Sequence, residues 1–215
     1  MKRVTLLLFA LLPLGCFAQE SESCVEFCFD QDPYIDPEKR WYFEFKPGYL
    51  FFTDNDMNRF FNNGGFSFRG EVGRRFYGPF IVWVDGGYFW SNGHAIGGVE
   101  KVDCHLASIT LGLKAIYYFH ESAAVYIGAG PRLFLMMIRN YSPFVRGDDN
   151  AIGIGGGFNG GFWFSPIPHY PNIFFDLFAD YSLKTMKVDP DEISSDDTDV
   201  NVSSLTAGLG LGIRF

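Results

Sequence analysis

The sequence predicts an all-β fold: an up-and-down barrel of eight antiparallel strands that crosses a membrane, with long loops at one end and short turns at the other. Three observations predict it. From Trp41 onward the chain divides into eight segments of alternating character, 41–53, 65–76, 80–91, 105–118, 124–138, 152–164, 173–186 and 204–215. Each is long enough for a tilted membrane-crossing strand, which needs about nine to eleven residues in lipid. The connections between them alternate long and short, as they do when all loops of one kind share one end. Within the segments, apolar side chains keep to one parity and charges to the other, and a period of two is the mark of a strand.

The elements follow in chain order. Lys2 and Arg3 precede an apolar run from Val4 to Leu14, and Cys16-Phe17-Ala18 places small residues where a signal peptidase reads. Residues 1–18 are therefore expected to be a cleaved leader, since the run is too short for a helix that crosses a bilayer. An alternative makes Cys16 a lipidation site. Residues 19–40 form an acidic tail, broken at Pro33 and Pro37. Cys24 and Cys28 within it are close enough to pair as a disulfide, which leaves Cys104 as the odd thiol. The stretches 54–64, 92–104, 139–151 and 187–203 are read as long polar loops. Tyr77-Gly78-Pro79, 119–123 and 165–172 are the shorter connections.

One parity collects residues such as Trp41, Phe43, Phe45, Phe66, Phe68, Val82, Val84, Leu111, Leu113, Ile152, Ile154, Phe175 and Leu177. This face is assigned to lipid, and only Arg74 intrudes on it. Arg74 lies near a tight turn, where its stem can reach the interface. The opposite parity carries Lys46, Arg69, Arg75, Lys114, Arg132, Lys184 and Arg214 with Glu44, Glu71, Asp85, Asp176 and Asp180. An outward Lys or Arg at mid-membrane costs roughly 2–4 kcal/mol on a barrel, so these charges are expected to line the interior. There they need partners. Glu71, Asp85 and Asp180 are expected to meet Arg132 and Lys114.

Eight strands enclose a space that side chains alone can fill. Inward Gly153, Gly155, Gly157 and Gly161 on the sixth strand and Gly208, Gly210 and Gly212 on the eighth flank Phe174, Asp176, Phe178, Asp180 and Lys184 on the seventh. That pairing of small with large predicts a packed interior.

The chain ends in a regular alternation. Leu205, Ala207, Leu209, Leu211, Ile213 and Phe215 fall on one side, and Thr206, Gly208, Gly210, Gly212 and Arg214 on the other. With the leader, the eight strands and the unequal connections, this ending resembles the small bacterial outer-membrane barrels. These are the transmembrane part of outer membrane protein A, outer membrane protein X and the opacity-type surface proteins. The resemblance covers 41–215. It implies residence among outer-membrane lipids and lipopolysaccharide, recognition of Phe215 by the barrel-assembly machinery, and loops that face host surface proteins. It specifies architecture more than activity. The chain departs from the first of these in having no periplasmic peptidoglycan-binding domain, so wall anchoring is not expected.

The candidate sites are few. Arg146-Gly147-Asp148 in the third long loop resembles an integrin-binding tripeptide, a short pattern that also recurs by chance. Phe60 and Phe61 in the first loop either mark a binding surface or pack on the barrel rim. The fourth loop gathers Asp189, Asp191, Glu192, Asp196, Asp197 and Asp199, read as a solvated surface because no spacing matches a calcium loop. His120-Glu121-Ser122 holds the residue types of a hydrolytic triad, but adjacent residues on a turn do not converge as one. The net charge of −8 argues against nucleic acid as a partner. No cofactor, metal or enzymatic activity is expected. The expected role is structural or surface interaction through the loops, ahead of a narrow ion or solute channel and of a lipid A-modifying enzyme.

Overall fold

The computed structural model describes residues 41–61, 64–94, 101–141, 148–166, 172–188 and 198–215. The leader with Cys16, the tail with Cys24 and Cys28, the pair Arg146-Gly147 and most of the acidic cluster fall outside these residues. Its elements are β1 (Trp41–Phe52), α1 (Asn55–Phe60), β2 (Gly65–Tyr77), β3 (Phe80–His94), β4 (Lys101–His120), β5 (Ala123–Asn140), β6 (Asp148–Phe164), β7 (Ile173–Leu183), β8 (Thr185–Val188), β9 (Thr198–Asn201) and β10 (Ser204–Arg214).

β1 to β7 and β10 close into one antiparallel barrel, in the order β1-β10-β7-β6-β5-β4-β3-β2. The seam joins the two ends of the described chain. The Trp41 amide donates to the Phe215 carbonyl at 3.0 Å, and the Phe215 amide donates back to the Trp41 carbonyl at 2.9 Å. Closure leaves no unpaired barrel edge, the one solution open to a sheet in lipid.

Side-chain direction follows the alternation. On β4, Leu113 is 57% exposed while the next residue, Lys114, is fully buried. The same inversion runs round the barrel: the exposed large residues are Phe, Leu, Ile, Val, Trp and Tyr, and the buried ones include Glu44, Glu71, Thr110, Arg132 and Asp176. A surface this apolar is solvated by acyl chains rather than water. Arg74 on this surface lies 5.2 Å from the Trp41 ring, a cation–aromatic contact near the turn end of the barrel.

The two ends differ in height. β4, β5 and β6 hold 20, 18 and 17 residues, against 12 in β1 and 11 in β7. One wall therefore rises beyond the other by roughly 20 Å of strand at 3.3 Å per residue. At the turn end the chain reverses tightly. Gly78, between β2 and β3, takes φ +49°, a left-handed conformation that favours glycine, and Arg75 Nε donates to its carbonyl.

Several expected boundaries shift. The loops 92–104 and 139–151 are shorter than expected because β3 to β6 continue into them, with His94 opposite Lys101 and Arg139 opposite Asp148. Asp148 is thus the first residue of a strand, not a loop tip. The fourth loop is not wholly irregular either: β8 and β9 pair as a separate two-stranded sheet, Thr185 opposite Asn201. The first loop contains α1. Asp54 caps it by accepting the Met57 amide at 3.3 Å, and Asn58 Nδ2 donates to the Phe52 carbonyl at 2.6 Å.

Candidate functional site

The barrel interior holds the densest polar chemistry of the described residues, and it is stacked in layers. At the turn end the Arg214 guanidinium lies 4.9 Å from the Phe174 ring centre, 5.3 Å from Trp163 and 5.5 Å from Tyr118. Above it, Lys114 sits among four rings: Tyr126 at 4.2 Å, Tyr42 and Trp163 at 5.4 Å, and Trp83 at 5.5 Å. Away from water such a cation–aromatic contact is worth about 2 kcal/mol. The rings come from β1, β3, β5 and β6, so this one cation ties four strands together.

Lys114 also bonds Glu71, which accepts from the Tyr42 hydroxyl as well. The other Glu71 oxygen takes Lys46 at 3.0 Å. Lys46 then reaches Glu44 and Asp176, each at 3.2 Å, and Asp176 Oδ2 accepts from Tyr126 at 2.6 Å. Two lysines and three carboxylates thus share one continuous cluster.

The next layer is built from arginine. Arg132 donates from both terminal nitrogens to Asp180, at 2.6 and 2.7 Å, a bidentate pair that fixes its plane. Its Nε donates to Thr110 at 2.6 Å, and Ser182 accepts a further bond. Arg69 bridges the same Asp180 to Asp85, to which its Nε donates at 2.6 Å. Asp85 was expected to meet Arg132 or Lys114. It meets Arg69, the inward residue two positions before Glu71 on the paired strand β2, because Arg132 is already committed to Asp180. Lys184 was grouped with the charge network, yet its ammonium donates to the Ile154 carbonyl at 2.9 Å near the loop end.

Glycine makes these layers possible. A Cβ at Gly157 would press on the Arg132 guanidinium, at Gly212 on the Phe174 ring, at Gly73 on Tyr42, and at Gly210 on Glu44. The void lined by Ser67, Arg69, Arg132 and Ser182 is about 20 Å³, room for a single water.

The loop end is closed by apolar packing. Phe52, Met57, Phe61, Phe89, Val102, Cys104, Phe134, Met136 and Val202 form one buried cluster. Of the two loop phenylalanines, Phe61 packs into this cap and is 3% exposed, while only the backbone of Phe60 is described. Ser91 donates to the Gly64 carbonyl at 3.2 Å and pins the return of α1 to the wall. Cys104 lies in the cap as a free, buried thiol. Of these cap residues, the sequence singles out Phe61 as a candidate surface residue and Cys104 as the odd thiol. The available signal was the alternation of Val102, Cys104 and Leu106 with Lys101, Asp103 and His105, in which the inward residues are the apolar ones.

The two histidines with described side chains, His105 and His120, make local contacts. His120 Nδ1 is 2.9 Å from Ser122 Oγ in the exposed β4–β5 turn. His105 Nδ1 is 2.7 Å from the Tyr88 hydroxyl on the outer wall. Beside it runs an open groove of about 570 Å³ lined by Tyr88, His105, Ala107, Leu135, Met137 and Ile152.

No family model matches the chain, and no curated protein matches it. Solved structures do. Neisserial surface protein A is 20% identical, with a TM-score of 0.56 over 81% of this chain and 97% of that one. Outer membrane protein OprG of Pseudomonas aeruginosa is 13% identical, with a TM-score of 0.54 over 82% and 98%. Ail, the attachment invasion locus protein of Yersinia pestis, is 14% identical, with a TM-score of 0.50 over 82% and 99%. At these identities the likeness is one of fold, and the fold is that of the small eight-stranded barrels of bacterial outer membranes.

Proposed function

We propose that the protein is an outer-membrane barrel, structural or surface-interacting, that works through its loop end and does not conduct through its lumen. The filled interior carries this reading. Ion pairs block the mid-section, an apolar cap blocks the mouth, and the void between them holds about one water. With the bore blocked, the surfaces left for interaction are the raised β3–β6 wall and the connections at the loop end, the acidic 189–197 segment among them. In this orientation the turn end is periplasmic, the exposed apolar belt sits among outer-membrane lipids with lipopolysaccharide at its outer edge, and Phe215 at the seam serves the assembly machinery. Host surface proteins are the partner class for the loops.

Likeness to Neisserial surface protein A and to Ail supports a surface role. One Ail structure holds the heparin analogue sucrose octasulfate. The present chain carries a net charge of −8 and six carboxylates between 189 and 199, so a sulfated sugar is a poor match and a basic or neutral partner surface a better one.

Two measurements test the reading. Folded protein in a planar bilayer should leave the conductance at baseline. Stepwise currents would favour the narrow-channel alternative. Cells that display the barrel with 189–197 replaced by a short neutral linker should keep it in the outer membrane but lose attachment to host cells. Undiminished attachment would remove this loop from the role.

A further inference from the structure

The outer wall carries a single charge within its apolar belt, Arg74 on β2, which is exposed. Its guanidinium lies over the Trp41 ring, 5.2 Å from the ring centre, so one face of the cation is covered. The N–H groups round its edge have no carboxylate partner among the described residues. A guanidinium stacked on a ring keeps those in-plane donors available, and their fork matches a carboxylate or a phosphate. The adjacent Arg75 has the opposite parity, and its Nε is bonded to the Gly78 carbonyl.

Arg74 stands at the head of a groove of about 530 Å³, with Trp41, Val72, Phe76, Val82 and Val84 along it. Small-ligand sites occupy about 300–1,000 Å³. Strand register explains the shape. Val72 on β2 pairs with Val84 on β3. Their outward neighbours are larger: Phe43 stands beside Val72 on β1, and Leu111 and Leu113 stand beside Val84 and Val82 on β4. Two strands of short side chains therefore run between two strands of long ones. Further from the turn end Gly70 pairs with Gly86, and each has open space over it. From Arg74 to Gly70 the floor covers roughly 13 Å of strand, at 3.3 Å per residue, toward the middle of the bilayer.

We propose that this groove is a site for an anionic phospholipid of the periplasmic leaflet, with its phosphate on Arg74 and one acyl chain along Val72, Val82 and Val84. Charge complementarity selects the occupant. A second copy of this chain would bring the same outer wall, whose apolar belt holds no carboxylate to meet Arg74. The phosphate of a zwitterionic lipid already has its own ammonium close by, whereas that of an anionic phospholipid does not. The position agrees as well. Arg74 lies near the β2–β3 turn, at the level where headgroups begin, and the groove leads from it into the acyl region. The assignment rests on the orientation proposed above, with the turn end toward the periplasm, and is independent of what the loops recognise.

The test uses the full barrel in vesicles of phosphatidylcholine, with Trp41 as the reporter. In Trp90→Phe, Trp41 is the one tryptophan left on the outer face, and the lumen is untouched. A minor share of phosphatidylglycerol with brominated acyl chains should quench Trp41 as though it were enriched roughly fivefold beside it. Brominated phosphatidylcholine at the same share should show no enrichment. Adding Arg74→Gln should abolish the enrichment, and adding Val84→Phe should reduce it with the charge still in place. Quenching of Trp90 in Trp41→Phe reports insertion. A flat response at Trp41 beside a quenched Trp90 therefore counts against the site and not against residence in the membrane. Equal quenching of Trp41 by the two brominated lipids would overturn the proposal. So would enrichment that survives Arg74→Gln or is unmoved by Val84→Phe. A cross-linked dimer in the same vesicles that Val84→Phe disperses would also overturn it, by giving the groove to a second copy of this chain.

Discussion

The lysine layer and the arginine layer solve the same problem by different means. Both bury charge in a lumen closed to water. The arginine layer does so by geometry: the planar fork of Arg132 matches the Asp180 carboxylate, and Arg69 extends the chain to Asp85. The lysine layer does so by surroundings. An ammonium has no fork, so Lys114 is wrapped in Tyr42, Trp83, Tyr126 and Trp163, and its one carboxylate partner, Glu71, is shared with Lys46. Shape-matched pairs are sensitive to any change of position. A caged cation is sensitive to loss of its counter-charge.

The largest effect expected from this contrast comes from the shared carboxylates. Glu71→Ala strands Lys114 and leaves Lys46 only Glu44 and Asp176, and Asp180→Ala strands Arg132 and leaves Arg69 only Asp85. Each is expected to cost about 3–5 kcal/mol in urea unfolding from lipid vesicles. A loss below about 1 kcal/mol at Asp180 would mean that the arginine layer is solvated rather than buried.

Next in size is a test of direction. Leu177 is outward and 59% exposed, while its neighbour Asp176 is fully buried. Leu177→Lys is expected to cost roughly 2–4 kcal/mol in lipid. Neutral behaviour would mean that this face meets water.

A glycine pair gives a third effect. A Cβ at Gly157 would lie 2.8 Å from three atoms of the Arg132 guanidinium, which is held in place on every side. Gly157→Ala is expected to cost about 1–3 kcal/mol, whereas Gly86→Ala, on the outer face with nothing within 4 Å, should stay within about 0.5 kcal/mol. Equal effects would show that the guanidinium can move aside. The smallest change is expected at Glu44→Gln. It keeps the size of the side chain, and Lys46 retains Glu71 and Asp176, so stability should shift by about 1 kcal/mol or less.

The barrel itself was legible because lipid imposes an unusually strict rule on the outward face. Phe43, Phe45, Leu111, Leu113, Phe175 and Leu177 obey it, and the opposite parity then had to be the interior. The upper wall was hidden because the rule ends where lipid ends. Lys101, Asp103 and Arg139 point outward, while Val102, Cys104 and Met136 point inward under the cap. The ladder continues, but its sense is reversed, so a search for outward grease reads these residues as loop. The individual ion pairs were hidden for another reason. Strand order and parity direct these charges inward, but the choice between Arg69 and Arg132 as partner of Asp85 depends on side-chain reach and on which carboxylate is already taken. The aromatic cage had a signal that could have been used: Tyr42, Trp83, Tyr126 and Trp163 share the parity of the charges.

The four tryptophans provide the most direct test of the inside-out arrangement. Trp41 and Trp90 are 42% and 51% exposed on the outer face, and Trp83 and Trp163 are 1% exposed in the lumen. Single-tryptophan variants can be folded into bilayers whose acyl chains carry bromine, a contact quencher. Emission from Trp41 and Trp90 should be quenched strongly, and emission from Trp83 and Trp163 should remain close to that in unbrominated lipid. Quenching of Trp83 or Trp163, with Trp41 and Trp90 spared, would contradict it.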